Sequence, residues 1–412
     1  MMRKIGAFHA GALALGLALV AFPTRTKAAD ASWMAGQYGV SFHFFSWFYP
    51  GTSFDQAIEN FDVDAYANQV KASGAKWVVF GVQQNFKTLP ALNANYEILA
   101  GRYAWEYSSS SGRDLINDLG VALNAKGIKL ILYWMAGGYF TKDPEADGIA
   151  AKLGWDTVSQ KATPLFIKNT SSILEEFSRR YKTKVSGWWL DACNGFFGFT
   201  DPANDFTPMV NAMRAGNPAA NIALNQGVET FTKIHPGVDF TTGESRDFNH
   251  LPPASGTGLI NGIQWSMTSF LAPKNPAQDG GVSGWGLPGV RYRDSLQTLV
   301  GFAQTVLARK GALTFDIFTN LDGTIDPPQF RELLEMRQAI HKDTSLAAVG
   351  LLAGKKHGRN SGGSVMRFSS GGRDGGKCAA GMGFQVHAAG SEIRDGLGRG
   401  AMPIAENNPR GE

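Results

Sequence analysis

The sequence alternates between short apolar runs, rich in β-branched and aromatic residues, and longer amphipathic runs with helical spacing. Single buried strands joined by helices form a parallel sheet that helices cover. Eight strand candidates over roughly 300 residues favour an α/β fold of the (β/α)8 TIM-barrel type over an open doubly wound sheet. The strand candidates span residues 40–45, 76–82, 129–134, 185–191, 221–225, 239–244, 262–267 and 312–318. The helix candidates span residues 62–73, 114–125, 164–181, 208–215, 295–309 and 328–340.

Both ends of the chain differ from this pattern. Residues 1–28 combine a basic start, an apolar run at 10–22 and a small-x-small site at 26–28, which predicts a secretory signal and a secreted or periplasmic protein. The apolar run is too short to span a bilayer comfortably, and a retained N-terminal anchor is the alternative. Residues 29–353 form the predicted barrel. Residues 354–412 are dominated by Gly, Ser, Arg and Ala, so we expect a disordered tail or a truncated C-terminal domain.

Charge and motif content disfavour several classes of function. The chain has a formal net charge of +4, but residues 1–28 contain four basic residues and no acids, so the remainder is neutral. A nucleic-acid partner therefore has no support from charge. No Gly-rich nucleotide motif follows the first strand candidate, and no G-x-S-x-G nucleophile motif is present. The histidines lack metal-ligand spacing, so we expect no metal site. The oligomeric state is left open.

Asp191 ends one of the most apolar strand candidates and precedes a Gly-rich, aromatic loop. In a parallel α/β barrel, catalytic groups lie at the carboxyl ends of the strands, where the loops vary and the strands are rigid. Asp191 is therefore a candidate catalytic carboxylate. Asp is also a common helix N-cap and turn former, which is the alternative interpretation.

Glu244 supplies a second carboxylate at the end of the strand candidate 239–244. Glycoside hydrolysis needs two carboxyl groups that face one another across a pocket, one acting on the anomeric carbon and one donating a proton to the leaving oxygen. A separation of about 5–5.5 Å predicts retention of configuration, and about 6.5–9.5 Å predicts inversion. The alternative for Glu244 is a surface ion pair with Arg246.

Aromatic side chains are frequent near the predicted strand ends, although barrel interiors favour Val, Ile and Leu. Sugars present flat C–H faces that pack on aromatic rings, so together these residues indicate a carbohydrate cleft. Core packing is the alternative for each ring taken alone, and for His43. The aromatic residues are Trp47, Tyr49, Trp134, Tyr139, Trp188, Phe196, Phe197, Trp265 and Trp285.

The order of several motifs resembles the α-L-fucosidases of glycoside hydrolase family 29, from about residue 38 to residue 342. The Tyr-Gly-Val-Ser-Phe-His run at 38–43 is similar to the family's first strand, which ends in a sugar-binding His. The Trp-Trp-Leu-Asp run at 188–191 resembles the strand that bears the nucleophilic Asp. The Asp-Phe-Thr-Thr-Gly-Glu run at 239–244 resembles the segment that holds the acid/base Glu in some members.

The resemblance implies a retaining exo-glycosidase of α-L-fucosidase type that needs no cofactor and has a carbohydrate as its partner. It assigns Asp191 as the nucleophile and Glu244 as the acid/base. The residues expected to contact the sugar are His43, Gln83, Gln84, Tyr133, Trp134 and Trp265.

The chain departs from the family pattern at three places. The Phe-Phe-Ser-Trp run at 44–47 stands where the family has Trp-Gly after the first-strand His. Gln83 and Gln84 stand where the family has a His-His motif, and Gln can hydrogen-bond a hydroxyl but lacks the charge and shape of imidazole. Asn225 and Gln226 stand where an Asn-Asp or Asn-Arg pattern is expected. Two further functions stay open: a barrel that binds carbohydrate without hydrolysing it, and a glycosidase of the same scaffold that acts on a different sugar.

Overall fold

The computed structural model describes residues 29–84, 87–101, 112–137, 144–278, 280–292 and 295–341. The predicted signal segment and the predicted C-terminal tail lie outside the described residues. Within the described part of the chain, no helix is both long enough and apolar enough to cross a membrane.

Seven parallel strands form the main sheet. Their bounds are β1 Tyr38–Phe42, β2 Trp77–Gln83, β3 Lys129–Met135, β4 Gly187–Asp191, β5 Asn221–Leu224, β8 Ser266–Phe270 and β9 Ala312–Ile317. Neighbouring strands follow the order β5-β4-β3-β2-β1-β9-β8, so β1 lies near the middle and pairs with both β2 and β9. Strands β6 (Leu259–Ile260) and β7 (Ile263–Gln264) form a separate antiparallel pair.

Helices follow the strands along the chain. Their bounds are α1 Phe54–Asn60, α2 Val63–Ser73, α3 Ala94–Ala100, α4 Leu115–Asn124, α5 Pro144–Lys152, α6 Pro164–Tyr181, α7 Thr207–Arg214, α8 Leu296–Ala308 and α9 Pro327–His341. Local sequence sets these ends: Asp62 accepts from two backbone N–H groups at the start of α2, and Gly74 ends α2 in the left-handed region. The predicted helices correspond to α2, α4, α6, α7, α8 and α9.

Residues 239–245 lie between β5 and β8 and act as an irregular eighth strand. The N–H of Asp239 donates to the carbonyl of Ile222 in β5 at 2.8 Å, and the N–H of Ser245 donates to the carbonyl of Thr268 in β8 at 2.9 Å. Hydrogen bonds thus join this segment to both edges of the seven-stranded sheet. The predicted TIM-type α/β barrel is confirmed.

One predicted strand has the wrong bounds. The run at 262–267 does not form a single strand, because β7 ends at Gln264 and β8 begins at Ser266. Trp265 lies at the break. Its N–H donates to Gly258 at 2.7 Å, and its carbonyl accepts from Ala312 at 3.0 Å, so this residue joins the loop before β6 to the start of β9.

A buried ion pair holds the start of the 239–245 segment. Asp239 Oδ2 accepts from Arg214 Nη2 at 2.6 Å and from the N–H of Ile222 at 2.7 Å, and its Oδ1 accepts from the N–H of Ala29 at 2.6 Å. The side chains of Arg214 and Asp239 are 4% and 0% exposed. Burial raises the pKa of Asp239, and the charge of Arg214 opposes that rise. Loss of either partner therefore leaves an uncompensated group in the core.

We predict that Arg214→Met lowers the free energy of unfolding by about 3–5 kcal/mol, because it leaves the buried Asp239 carboxylate without its cation. The matched control is Arg179→Met, which removes an exposed ion pair to Glu175 with a separation of 2.7 Å. For that control we expect a change within about 0.5 kcal/mol. Urea denaturation measures both. Equal effects of the two substitutions would contradict a structural role for the buried pair.

Candidate active site

A pocket of about 470 Å3 opens where the carboxyl ends of the barrel strands meet. The predicted site residues among its lining are His43, Gln84, Tyr133, Asp191 and Glu244. Aromatic rings form much of the remaining wall, namely Trp47, Phe48, Trp189 and Trp285. The structure therefore brings both predicted carboxylates and several aromatic rings to one pocket.

Asp191 is the last residue of β4, and hydrogen bonds reach both of its carboxylate oxygens. The hydroxyl of Tyr133 donates to Oδ2 at 2.7 Å. The N–H of Ala192 and Nδ2 of Asn225 donate to Oδ1 at 2.7 and 2.8 Å. Tyr133 itself packs flat on Trp189, with ring centroids 5.2 Å apart. These three donors fix the orientation of the carboxylate, which lines the pocket.

The residues that follow Asp191 show that it does not cap the next helix. The short 3-10 helix that follows, Gly195–Phe197, has Asn194 as its N-cap, whose side chain accepts from the N–H of Phe197. Asp191 instead bonds to the N–H of Ala192, which adopts a φ of +58°. The turn after β4 is therefore sharp, and the cap is supplied by another residue.

Asn225 joins the two carboxylates. Its Nδ2 donates to Asp191 Oδ1 at 2.8 Å and to Glu244 Oε2 at 2.6 Å. Its Oδ1 accepts from the hydroxyl of Thr242 at 2.9 Å and from the N–H of Gly227 at 3.1 Å. These two donors fix the amide orientation, because only the nitrogen side then faces the acids. Asn225 is fully buried, so solvent does not compete for these bonds.

Glu244 follows a glycine whose backbone lies in the left-handed region, Gly243. That glycine has a φ of +54°, and a Cβ there would lie 2.1 Å from the carbonyl oxygen of Ser266. Any larger residue is therefore excluded without movement of β8. The carbonyl of Glu244 accepts from the N–H of Glu229 at 2.5 Å, and its side chain reaches Asn225 in the pocket. The carboxylate thus belongs to the pocket wall.

His43 follows β1 and lies beside a third acid, Asp316 of β9. Its Nδ1 is 3.0 Å from Asp316 Oδ2, with the side chains 16% and 1% exposed. Burial by itself lowers the pKa of His43, but the negative charges of Asp316 and Asp191 outweigh it and raise that pKa above its ordinary value. Asp316 was not among the site residues predicted from the sequence. The available signal was a lone acid within the apolar run Ala312–Ile317, since such an acid rarely lies in a core without a partner.

Three predicted sugar-contacting residues lie outside the pocket lining. Gln83 and Trp134 are fully buried and Trp265 is 2% exposed. Trp134 adjoins Tyr133 on β3, so strand alternation turns it away from the pocket. Trp265 stacks on Phe231 at 5.3 Å, near the start of β9 and not at its carboxyl end. Direct sugar contact by these three residues stays a prediction.

A sequence model of the family described as Alpha-L-fucosidase matches residues 20–342. The chain belongs to the alpha-L-fucosidase family. This agrees with the resemblance drawn from the motifs at 38–43, 188–191 and 239–244. The comparison with curated proteins gives no match.

Solved structures with a similar fold include endo-fucoidan hydrolases of glycoside hydrolase family 107. A variant of MfFcnA4 gives a TM-score of 0.58 at 16% identity, covering 75% of this chain and 53% of that one. MfFcnA9 gives 0.56 at 17% identity, covering 75% and 62%. P5AFcnA gives 0.52 at 15% identity, covering 75% and 92%. This alpha-L-fucosidase family member spans about half the length of MfFcnA4. Sequence identities this low show a shared fold and nothing more.

We predict that Asn225→Asp destabilises the protein at pH 7 by at least about 2 kcal/mol, because a third buried carboxylate replaces the amide donor between two acids. The new acid has a raised pKa in the folded state, so the loss grows as the pH rises above about 4 and shrinks on acidification. Thermal unfolding between these pH values measures it.

The control for this prediction is Gln226→Glu, which adds the same charge at a neighbouring position where the side chain bonds to Thr232 in an exposed contact. We expect this control to lack the pH-dependent loss. A loss at pH 7 that is equal in both variants would contradict the bridging role of the Asn225 amide.

Proposed function

We propose that this member of the alpha-L-fucosidase family is a retaining exo-glycosidase that hydrolyses a terminal fucosyl residue through a glycosyl-enzyme intermediate. The observation that carries the proposal is the single amide nitrogen of Asn225, which donates to Asp191 and to Glu244 at once. Two acids fixed this close together, in a pocket with aromatic walls, are the constellation that glycoside hydrolysis requires.

The spacing of the acids supports retention of configuration. Asp191 Oδ1 and Glu244 Oε2 lie 2.8 and 2.6 Å from Nδ2 of Asn225. The distance between the two oxygens therefore cannot exceed the sum of these two hydrogen-bond lengths. For this pair of oxygens the limit is close to the carboxyl separation of about 5–5.5 Å typical of retaining enzymes, and it favours retention over the range of about 6.5–9.5 Å found in inverting enzymes.

The roles follow from the contacts of each acid. Asp191 accepts hydrogen bonds at both oxygens, which suits an ionised carboxylate that attacks the anomeric carbon and breaks the bond to the leaving oxygen. Glu244 donates its proton to that oxygen in the same step. In the second step, Glu244 takes a proton from water, and the resulting hydroxide displaces Asp191 and releases the sugar.

The pocket lining supports a deoxy sugar as substrate. The aromatic side chains Trp47, Phe48 and Trp285 offer surfaces for C–H faces and for the apolar methyl group of fucose. His43 and Gln84 offer polar atoms for the hydroxyl groups. A volume of about 470 Å3 is sufficient for one terminal sugar unit. The named activity of the family-107 structures, endo-fucoidan hydrolysis, also concerns a fucose polymer.

We predict that Asp191→Asn lowers kcat for an aryl α-L-fucoside by more than about 10³-fold, because the nucleophile is lost, while the thermal midpoint stays nearly unchanged. The control Asp201→Asn changes an exposed cap of the 3-10 helix Pro202–Asn204 and should leave kcat unchanged. Initial rates and thermal melts measure both variants. If Asp191→Asn instead lowers the midpoint strongly and retains kcat, the residue is a turn former and the nucleophile assignment fails.

Glu244→Gln tests the second acid. We predict a loss of about 10²–10⁴-fold for substrates with poor leaving groups and a much smaller loss of the first step for a dinitrophenyl fucoside, which needs no proton. Azide should restore turnover of the dinitrophenyl substrate and give a fucosyl azide of retained configuration. Absence of rescue, with full activity on poor leaving groups, would exclude Glu244 as acid/base.

A panel of aryl glycosides distinguishes the remaining alternatives. Hydrolysis of another glycoside but not of the fucoside would support a glycosidase of the same scaffold for a different sugar. Fucose binding without hydrolysis of any member would support a carbohydrate-binding barrel. Export of the protein, with removal of residues 1–28, is part of the proposal and is supported by the basic start and apolar run of that segment.

A further inference from the structure

We infer that Asp316 is a positioning residue for sugar binding: it holds Nδ1 of His43, so that Nε2–H of that ring faces the sugar, and it fixes the loop of Trp285 beside the ring. The inference rests on the proposed function for the identity of the ligand. Asp316 itself does not line the pocket, so its effect reaches the substrate through His43 and Trp285.

The Asp316 carboxylate is buried and has contacts at both oxygens. Oδ2 accepts from the hydroxyl of Ser41 at 3.0 Å and lies 3.0 Å from His43 Nδ1. Oδ1 accepts from the N–H of Gly286 at 2.7 Å. The His43 contact is an ion pair that is not aligned for a full hydrogen bond. Such contacts commonly tighten when a ligand binds.

The surroundings of His43 favour its cationic form. Asp316 of β9 contacts Nδ1, and Asp191 of β4 adds a second negative charge across the pocket. Tyr133 of β3 meets the ring edge-on at 5.8 Å, and Glu244 lines the same pocket. With Nδ1 turned to buried Asp316, Nε2 is the ring nitrogen left for a ligand. A doubly protonated ring donates there to a sugar hydroxyl.

The second oxygen of Asp316 fixes the adjoining wall. Gly286 has a φ of +64°, and a Cβ there would lie 2.6 Å from Phe48 and 3.2 Å from His43, so the loop backbone lies directly against both side chains. The preceding residue, Trp285, has its ring 6.5 Å from the His43 ring. One carboxylate therefore sets the relative positions of an aromatic wall and a cationic donor.

The natural substitution for a test is Asp316→Asn, because it keeps the size of the side chain and removes its charge. The carboxamide has one oxygen, so it can accept from Gly286 or from His43 Nδ1–H but not from both in the present arrangement. The matched control is Asp326→Asn. Asp326 accepts from the N–H of Gly289 at 3.0 Å and so holds the far end of the same loop, away from His43.

The first measurement needs no substrate. Nuclear magnetic resonance of the full chain with labelled histidine rings, assigned with His43→Gln, gives the pKa of His43 directly. We expect wild-type His43 to titrate above its ordinary value of 6.5, Asp316→Asn to shift it downward, and Asp326→Asn to leave it unchanged. Wild-type titration below that value would overturn the inference even if Asp316→Asn failed to fold.

The second measurement is the pH profile of KM and kcat on an aryl fucoside. KM should rise as His43 loses its proton, and Asp316→Asn should move that rise to lower pH and weaken kcat/KM by about tenfold at pH 7, chiefly through KM. In the His43→Gln background, Asp316→Asn should add little. An additive loss with an unmoved profile would show a merely structural role. Absence of fucoside hydrolysis in the wild type would refute the proposed function but leave the titration result valid.

Discussion

The hydrogen bonds from Asn225 to Asp191 and Glu244 are the interaction on which the rest of the site depends. Two carboxyl groups at this separation repel one another whenever both are ionised, and the amide between them is fully buried. Charge-assisted bonds from one nitrogen offset that repulsion without adding a cation. These bonds form only if β4, β5 and the 239–245 segment keep their relative positions. Closure of the barrel and assembly of the pocket therefore depend on the same contacts.

Polar contacts hold the 239–245 segment in place at both ends. Asp239, paired with buried Arg214, holds its start, and the Asn225 amide holds Glu244 near its end. Strand alternation places Thr242 and Glu244 on the same face, and both side chains reach Asn225. Gly243 lies between them with a left-handed backbone, directly against the carbonyl of Ser266 in β8, where a Cβ would not fit. A glycine is therefore required where the segment packs on β8, next to the second acid.

The sequence was sufficient for the strand and helix alternation and for the position of Asp191 at the end of a strand, because both depend on local patterns. It was insufficient wherever a register or a distant partner decides the outcome. A shift in the β2–β3 pairing between Gly81 and Gln83 leaves Gln83 in the core and Gln84 at the pocket. The sequence alone cannot tell which of these two adjacent glutamines faces the pocket. Asn225 and Asp316 were missed as site residues for a related reason: each acquires its role from residues on other strands.

The most direct test of the paired acids is the configuration of the first product released from an aryl α-L-fucoside, followed by proton NMR before mutarotation. The account predicts that α-L-fucose appears first, because the proposed retaining mechanism needs two closely spaced acids and one amide nitrogen bonds an oxygen of each. Initial release of β-L-fucose would contradict it, since inversion needs a separation of about 6.5 Å or more between the two carboxyl groups.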